Sequence, residues 1–113
     1  MSPAMPVSTV AFSMQLNPGC EAEYRRRHDE IWPDLKAALL DAGVVDYRIF
    51  LEPGSNRLFA VLVRRDDHAL DALRESPVMR RWWTMMADIM QANPDASPVE
   101  TALAPMFALS AEG

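Results

Sequence analysis

The sequence is poor in the residues that build disulfides and metal sites. It contains one cysteine, Cys20, and two histidines, His28 and His68. A single cysteine excludes an intrachain disulfide, and these three residues have no spacing typical of metal ligands. Glycine-rich phosphate loops, serine-nucleophile motifs and paired-carboxylate signatures are also missing. We therefore expect no metal site and no disulfide framework.

Basic residues are in the minority, with 11 Lys and Arg against 16 Asp and Glu, which gives a net charge of −5. This balance argues against binding to nucleic acid or to an anionic membrane surface, since both require basic stripes. The run Arg25-Arg26-Arg27 lies among the acids Glu23 and Asp29, and such charge runs usually form solvated helix faces.

Long apolar runs are absent as well. No stretch approaches the roughly 20 apolar residues needed to cross a bilayer. Residues 1–8 lack the basic start and the apolar centre of a signal peptide. These features predict a soluble, cytoplasmic protein.

The hydrophobic periodicity predicts one α+β domain. At 113 residues the chain can build one core. We expect a flexible N-terminal tail at 1–9, a domain at 10–109 and a flexible C-terminal tail at 110–113. The predicted strands cover 10–16, 44–51, 57–65 and 104–109, and the predicted helical regions cover about 20–42, with a break near Pro33, and about 66–90, with a restart at Ser76-Pro77. The order β-α-β-β-α-β is that of a ferredoxin-like antiparallel sheet.

The apolar pattern of the third predicted strand indicates that a second copy of the chain is a partner. Leu58 to Val63 is apolar on both faces, whereas two helical regions can cover only one face of a sheet. A small domain usually buries such a face against a partner. We therefore expect a homodimer packed sheet to sheet, although the uncovered face could instead line a pocket.

Tyr24 and His28 are the strongest candidates for chemistry. Four residues apart on a helix, they point the same way. Histidine is the side chain that exchanges protons near neutral pH. Pro33 breaks the helix soon after, as helices often do beside a cleft. The alternative is an ordinary surface histidine beside arginines.

Three more aromatic residues are candidates for binding. Trp82 and Trp83 point about 100° apart on a helix, so one could face a pocket while the other is core. An aromatic face suits the C–H surface of a sugar. Tyr47 lies on a strand between aliphatic residues. For all three, the alternative is simple core packing.

Several ordered motifs resemble those of the L-rhamnose mutarotases. The resemblance covers residues 10–109. The matching pieces are Met14-Gln15-Leu16-Asn17-Pro18, Glu23-Tyr24, Arg27-His28, Ile31-Trp32-Pro33, Asp46-Tyr47, Arg81-Trp82-Trp83, Ala92-Asn93-Pro94-Asp95 and Ser97-Pro98. The chain departs from the family in its longer leader and in Asp29-Glu30, where an Asn-Pro pair is familiar.

The resemblance implies a dimeric α/β-barrel isomerase that interconverts the anomers of L-rhamnose or a similar 6-deoxy sugar in rhamnose metabolism. It implies a catalytic proton donor at His28 and substrate contacts at Tyr24, Tyr47, Trp82 and Trp83. Ring opening and closing need no cofactor. A cofactor-independent monooxygenase on the same scaffold and a non-enzymatic dimeric ligand-binding module are the alternatives, because fold alone does not define function.

Overall fold

The computed structural model describes residues 6–111, which form a four-stranded sheet and four helices. The strands are β1 (Val7–Gln15), β2 (Val44–Glu52), β3 (Arg57–Arg65) and β4 (Thr101–Leu103); the helices are α1 (Glu21–Asp29), α2 (Pro33–Asp41), α3 (Leu70–Leu73) and α4 (Pro77–Met86). The strands run β2-β3-β1-β4 across the sheet, and every pairing is antiparallel. This topology confirms the predicted ferredoxin-like α+β fold.

Two prolines mark helix starts as the sequence predicts. Pro33 begins α2 after Trp32, whose extended backbone separates α2 from α1. Pro77 begins α4, and the Ser76 side chain caps that helix by accepting a hydrogen bond from the Met79 N–H at 3.3 Å. Among the described residues, no helix is long and apolar enough to cross a membrane.

The first and last strands differ from the prediction. Strand β1 begins at Val7, so the sheet includes residues 7–9 of the predicted tail, and they pair with residues 63–65 of β3. Residues 1–5 and 112–113 lie outside the described part of the chain. The prediction of a strand at 104–109 is wrong: β4 is Thr101–Leu103, and residues 104–111 form no strand. Pro105 contributes here, because it has no N–H to donate to a sheet.

The helices cover one face of the sheet. Leu58 and Ala60 on β3 and Met14 on β1 are buried in one core cluster with Leu35 of α2 and Trp82 of α4. The opposite face carries Ala11, Phe59, Val61, Val63 and Phe50, none of which belongs to that cluster; Phe50 is 57% exposed. Within residues 6–111, the sheet thus has one face in the core and one apolar face that the core does not cover.

Candidate active site

A cavity of about 1080 Å³ lies between the helices and the covered face of the sheet. Its wall contains all five residues predicted for the site: Tyr24, His28, Tyr47, Trp82 and Trp83. Helix α1 contributes Tyr24 and His28, β2 contributes Tyr47, and α4 contributes both tryptophans. The fold therefore brings together residues that are distant in the sequence, in a concave, mostly apolar site typical of small-molecule binding.

The His28 imidazole is in contact with two aromatic rings. It stacks on the Tyr24 ring, with ring centroids 4.3 Å apart and planes 29° apart. The ring of Trp82 meets it edge-on, at 5.3 Å and 90°. These contacts confirm that Tyr24 and His28 share a helix face, and they hold the imidazole in one orientation at the cavity wall.

The hydrogen bond at Nδ1 of His28 determines which ring nitrogen is free. Nδ1 lies 3.1 Å from the backbone carbonyl oxygen of Tyr24. Because a carbonyl oxygen can only accept, Nδ1 must carry the hydrogen in the neutral ring. Nε2 is therefore the nitrogen that can exchange a proton with a ligand.

Desolvation shifts the pKa values of three aromatic titratable groups in the cavity wall, His28, Tyr24 and Tyr47. It lowers the pKa of His28, although the hydrogen bond to Tyr24 and the charge of Asp29 act in the opposite direction. Burial also raises the pKa of Tyr24 well above its usual value. The pKa of Tyr47, a residue that is 40% exposed, is also raised, by desolvation and to a smaller extent by Glu100. Both phenols therefore stay protonated and can donate hydrogen bonds to a neutral ligand.

Both tryptophans are buried, so neither is simply a surface residue facing solvent. Trp82 is 6% exposed and Trp83 is 7% exposed, and both belong to the core as well as to the cavity wall. The guanidinium of Arg74 lies 4.9 Å from the Trp83 ring centroid, in a cation–π contact. Trp32 meets Trp82 edge-on at 5.2 Å, which supports a structural role for Trp32.

Sequence reasoning missed three residues at or near the site. Phe12 lies in the cavity wall and meets Tyr47 edge-on at 6.4 Å. In the sequence, Arg64 and Arg65 look like the charged end of a strand. In the structure, Arg64 lines the cavity. Arg27 belongs to the predicted solvated run, but only 15% of its side chain is exposed. The register of the strands was the signal for the first two, because Phe12, Tyr47 and Arg64 share one face of the sheet.

The described residues offer no alternative centre based on a metal. No group of three or more His, Cys, Asp or Glu side chains within residues 6–111 is placed to hold an ion. The groups in the cavity are an imidazole, two phenols, two indoles and a few charged side chains. This set can bind a small polar ligand through stacking and hydrogen bonds and can move a proton at Nε2 of His28.

Comparisons with known proteins show the family to which the chain is similar. The family model for L-rhamnose mutarotase matches residues 9–109. The L-rhamnose mutarotase of Acidiphilium cryptum is 62% identical over 100 residues, which cover 88% of this chain and 96% of that protein. The crystal structure of an L-rhamnose mutarotase from Formosa agariphila matches with a TM-score of 0.83 and 42% identity, over 91% of this chain and 99% of that one.

A more distant structural match shares the fold alone. A solved structure from Nitrosomonas europaea, provisionally named an antibiotic biosynthesis monooxygenase, matches with a TM-score of 0.60 but only 8% identity, over 97% of this chain and 100% of that one. Fold similarity at this identity gives no support to a monooxygenase activity. The family match covers almost the whole described chain: this protein belongs to the L-rhamnose mutarotase family.

Proposed function

We propose that this protein is an isomerase that interconverts the α and β anomers of L-rhamnose by opening and closing the pyranose ring. Family membership supports the activity, and the stacked Tyr24–His28 pair in the cavity wall is the observation that carries the mechanism. The monooxygenase alternative is not favoured, because its support comes from the fold alone.

His28 is the proposed catalytic residue. Ring opening requires a proton on the ring oxygen and removal of a proton from the anomeric hydroxyl, and closing on the other face reverses both transfers. Nε2 of His28, as imidazolium, donates to the ring oxygen on opening, while a solvent water accepts the proton of the anomeric hydroxyl; both transfers reverse on closing. A lowered pKa makes the imidazolium a stronger acid, and a positioned acid of this kind contributes roughly 10²–10⁴-fold.

The other four predicted site residues, two tyrosines and two tryptophans, are proposed to bind the sugar. The phenols of Tyr24 and Tyr47 remain protonated because their pKa values are raised, so they can donate hydrogen bonds to sugar hydroxyls. Trp82 and Trp83 offer apolar surface to the C–H face and the 6-deoxy methyl group. Relatives named L-rhamnose mutarotases support L-rhamnose over other deoxy sugars.

A homodimer is proposed from the apolar surface that one chain leaves open. Phe59, Val61 and Val63 lie on the sheet face away from the core, and Phe50 beside them is 57% exposed. After β4, Met106, Phe107 and Leu109 are 90%, 83% and 86% exposed. A second copy that packs its own sheet on this face would bury both surfaces. The cytoplasmic location stays a prediction from the sequence.

Saturation-transfer NMR tests the activity directly. Irradiating the anomeric proton of one L-rhamnose anomer decreases the signal of the other at a rate that reports their exchange. We expect the protein at catalytic concentration to accelerate this exchange well above the spontaneous rate. Exchange at the spontaneous rate, together with oxygen consumption on a quinol, would instead support the monooxygenase. Saturable sugar binding without any acceleration would support the ligand-binding module.

A further inference from the structure

Arg64 is a cavity residue that the mechanism above does not use. It lies on β3 and faces the helices, as Leu62 does two residues earlier, and both line the cavity. The next residue, Arg65, has a different environment: its Nε donates to Asp67 Oδ1 at 3.1 Å. The two consecutive arginines therefore point to opposite sides of the strand, one toward the site and one away from it.

The Nε–H of Arg64 is buried without a hydrogen-bond acceptor. Among residues 6–111, this nitrogen is the single buried side-chain N or O atom that has no partner. The side chain also makes no ion pair with another described residue, although Glu100 and Asp71 line the same cavity. A buried donor of this kind costs free energy unless something accepts its hydrogen, and native proteins rarely leave one unpaired.

The register places Arg64 near a proposed sugar-binding residue. Tyr47 pairs with Leu62 across the β2–β3 ladder, so Arg64 is the diagonal neighbour of Tyr47 on the same face. Diagonal neighbours of this kind are roughly 7–8 Å apart, which a pyranose ring and its hydroxyls can bridge. A guanidinium donates to hydroxyl oxygens and accepts from none, so its partner must be an acceptor.

We propose that Arg64 is a substrate-binding residue whose buried Nε–H donates a hydrogen bond to a hydroxyl oxygen of the sugar, beside Tyr47. The proposal rests on the proposed function and adds a polar contact from the sheet to the aromatic ones. It is specific to the guanidinium, because lysine has carbon rather than nitrogen at the position of Nε.

The matched variants are Arg64→Met, which keeps the aliphatic stem and removes the donor, and Arg57→Met at the exposed far end of the same strand. Exchange rates measured by NMR over a range of L-rhamnose concentrations separate KM from kcat. We expect Arg64→Met to raise KM roughly 10- to 100-fold, as for loss of a charged hydrogen bond, with kcat within about threefold. Arg57→Met should match the wild type.

A series of L-rhamnose analogues, each lacking one hydroxyl, identifies the partner of Arg64. For the analogue that lacks the contacted hydroxyl, Arg64→Met should raise KM no further, whereas the other analogues should still lose affinity. The proposal is overturned if KM is unchanged in Arg64→Met, which would mean that water satisfies Nε, or if all analogues respond equally. Failure of the proposed function looks different, because the wild type itself would not accelerate anomer exchange.

Discussion

His28 and Trp82 come from different helices, yet their rings meet edge-to-face with centroids 5.3 Å apart and planes at 90°. Tyr24 stacks on the same imidazole at 4.3 Å. Trp82 is itself supported by Trp32 at 5.2 Å. The proposed proton donor is therefore oriented by aromatic rings from three segments, and its position depends on how α1 and α4 pack.

Replacing His28 by Ala is expected to slow anomer exchange by roughly 10²–10⁴-fold, because the positioned acid is lost. The fold should be retained, since His28 is only half-buried. The exchange rate is measured by saturation-transfer NMR and the fold by circular dichroism. His68→Ala is the matched control, because His68 is not part of the cavity wall and should leave the exchange rate unchanged. A His28→Ala variant as active as the wild type would remove His28 from the mechanism.

The pH dependence of kcat/KM should identify the active form of His28. Burial lowers the pKa of His28 below its usual value of 6.5. If the imidazolium donates to the ring oxygen, kcat/KM falls as the pH rises through this lowered pKa. The measurement is the enzymatic exchange rate between about pH 4.5 and 8, after the spontaneous rate at each pH is subtracted.

The opposite slope would contradict the assignment. A kcat/KM that falls as the pH decreases through the same pKa would mean that neutral His28 acts as a base at the anomeric hydroxyl. Folding must be checked at each pH, because a group whose pKa is lowered in the folded state binds its proton more readily when unfolded. His28 therefore reduces the stability of the fold as the pH falls below 6.5.

Phenylalanine at position 24 or 47 should weaken catalysis moderately. Each change removes a hydroxyl and keeps the ring, so the stack on His28 and the contact with Phe12 remain. Loss of one hydrogen bond to a neutral hydroxyl costs about 0.5–1.5 kcal/mol, or roughly two- to tenfold in kcat/KM. A loss near that of His28→Ala in Tyr24→Phe would assign Tyr24 a direct role in proton transfer.

Arg27 is expected to stabilise the contact between α1 and the end of α4. Its Nη1 donates to the Met85 carbonyl and to Asp88 Oδ1, each at 2.8 Å. Arg27→Met should lower the free energy of unfolding by about 1 kcal/mol after allowance for solvent screening at the exposed Asp88, which corresponds to a Tm lower by roughly 4–8 °C.

The control for Arg27 is its neighbour Arg26. Arg26 forms ion pairs with Glu23 and Glu30, but 59% of its side chain is exposed. Exposed pairs contribute little, so Arg26→Met should change Tm much less than Arg27→Met. Thermal unfolding followed by circular dichroism compares the two variants. Equal shifts would mean that the bond to the Met85 carbonyl contributes nothing.

A charge on the open sheet face should dissociate the proposed dimer. Val61→Lys would place an ammonium in the middle of that face, where a second sheet would have to desolvate it. We expect a lower molar mass by light scattering after size exclusion at micromolar concentration. Leu40→Lys changes an exposed apolar residue of α2, which is 48% exposed, and should keep the wild-type mass. A wild type that is already monomeric would contradict the proposal.

Local signals in the sequence were sufficient for much of the fold. Ser76-Pro77 and Pro33 predict helix starts because proline constrains its own backbone and that of the residue before it. The spacing of Tyr24 and His28 likewise predicts their shared face, which depends only on helix geometry.

The remaining features depend on contacts that local patterns do not contain. The apolar residues from Ala104 to Leu109 look like a strand, but in one chain they form no strand and remain exposed. Arg64 looks like a surface residue, because only the packing of the helices over the sheet leaves a cavity beside it. Both features depend on tertiary structure rather than on the secondary-structure propensity of the local sequence.

The bond between His28 Nδ1 and the Tyr24 carbonyl has a consequence for engineering. The acceptor that selects the tautomer belongs to the backbone, so it is present whatever side chain occupies position 24. Libraries that vary this position to accept other sugars can therefore change ligand contacts and ring stacking while the proton stays on Nδ1 of neutral His28. Ligand contacts at position 24 can therefore be varied without changing the tautomer of His28, one helical turn away.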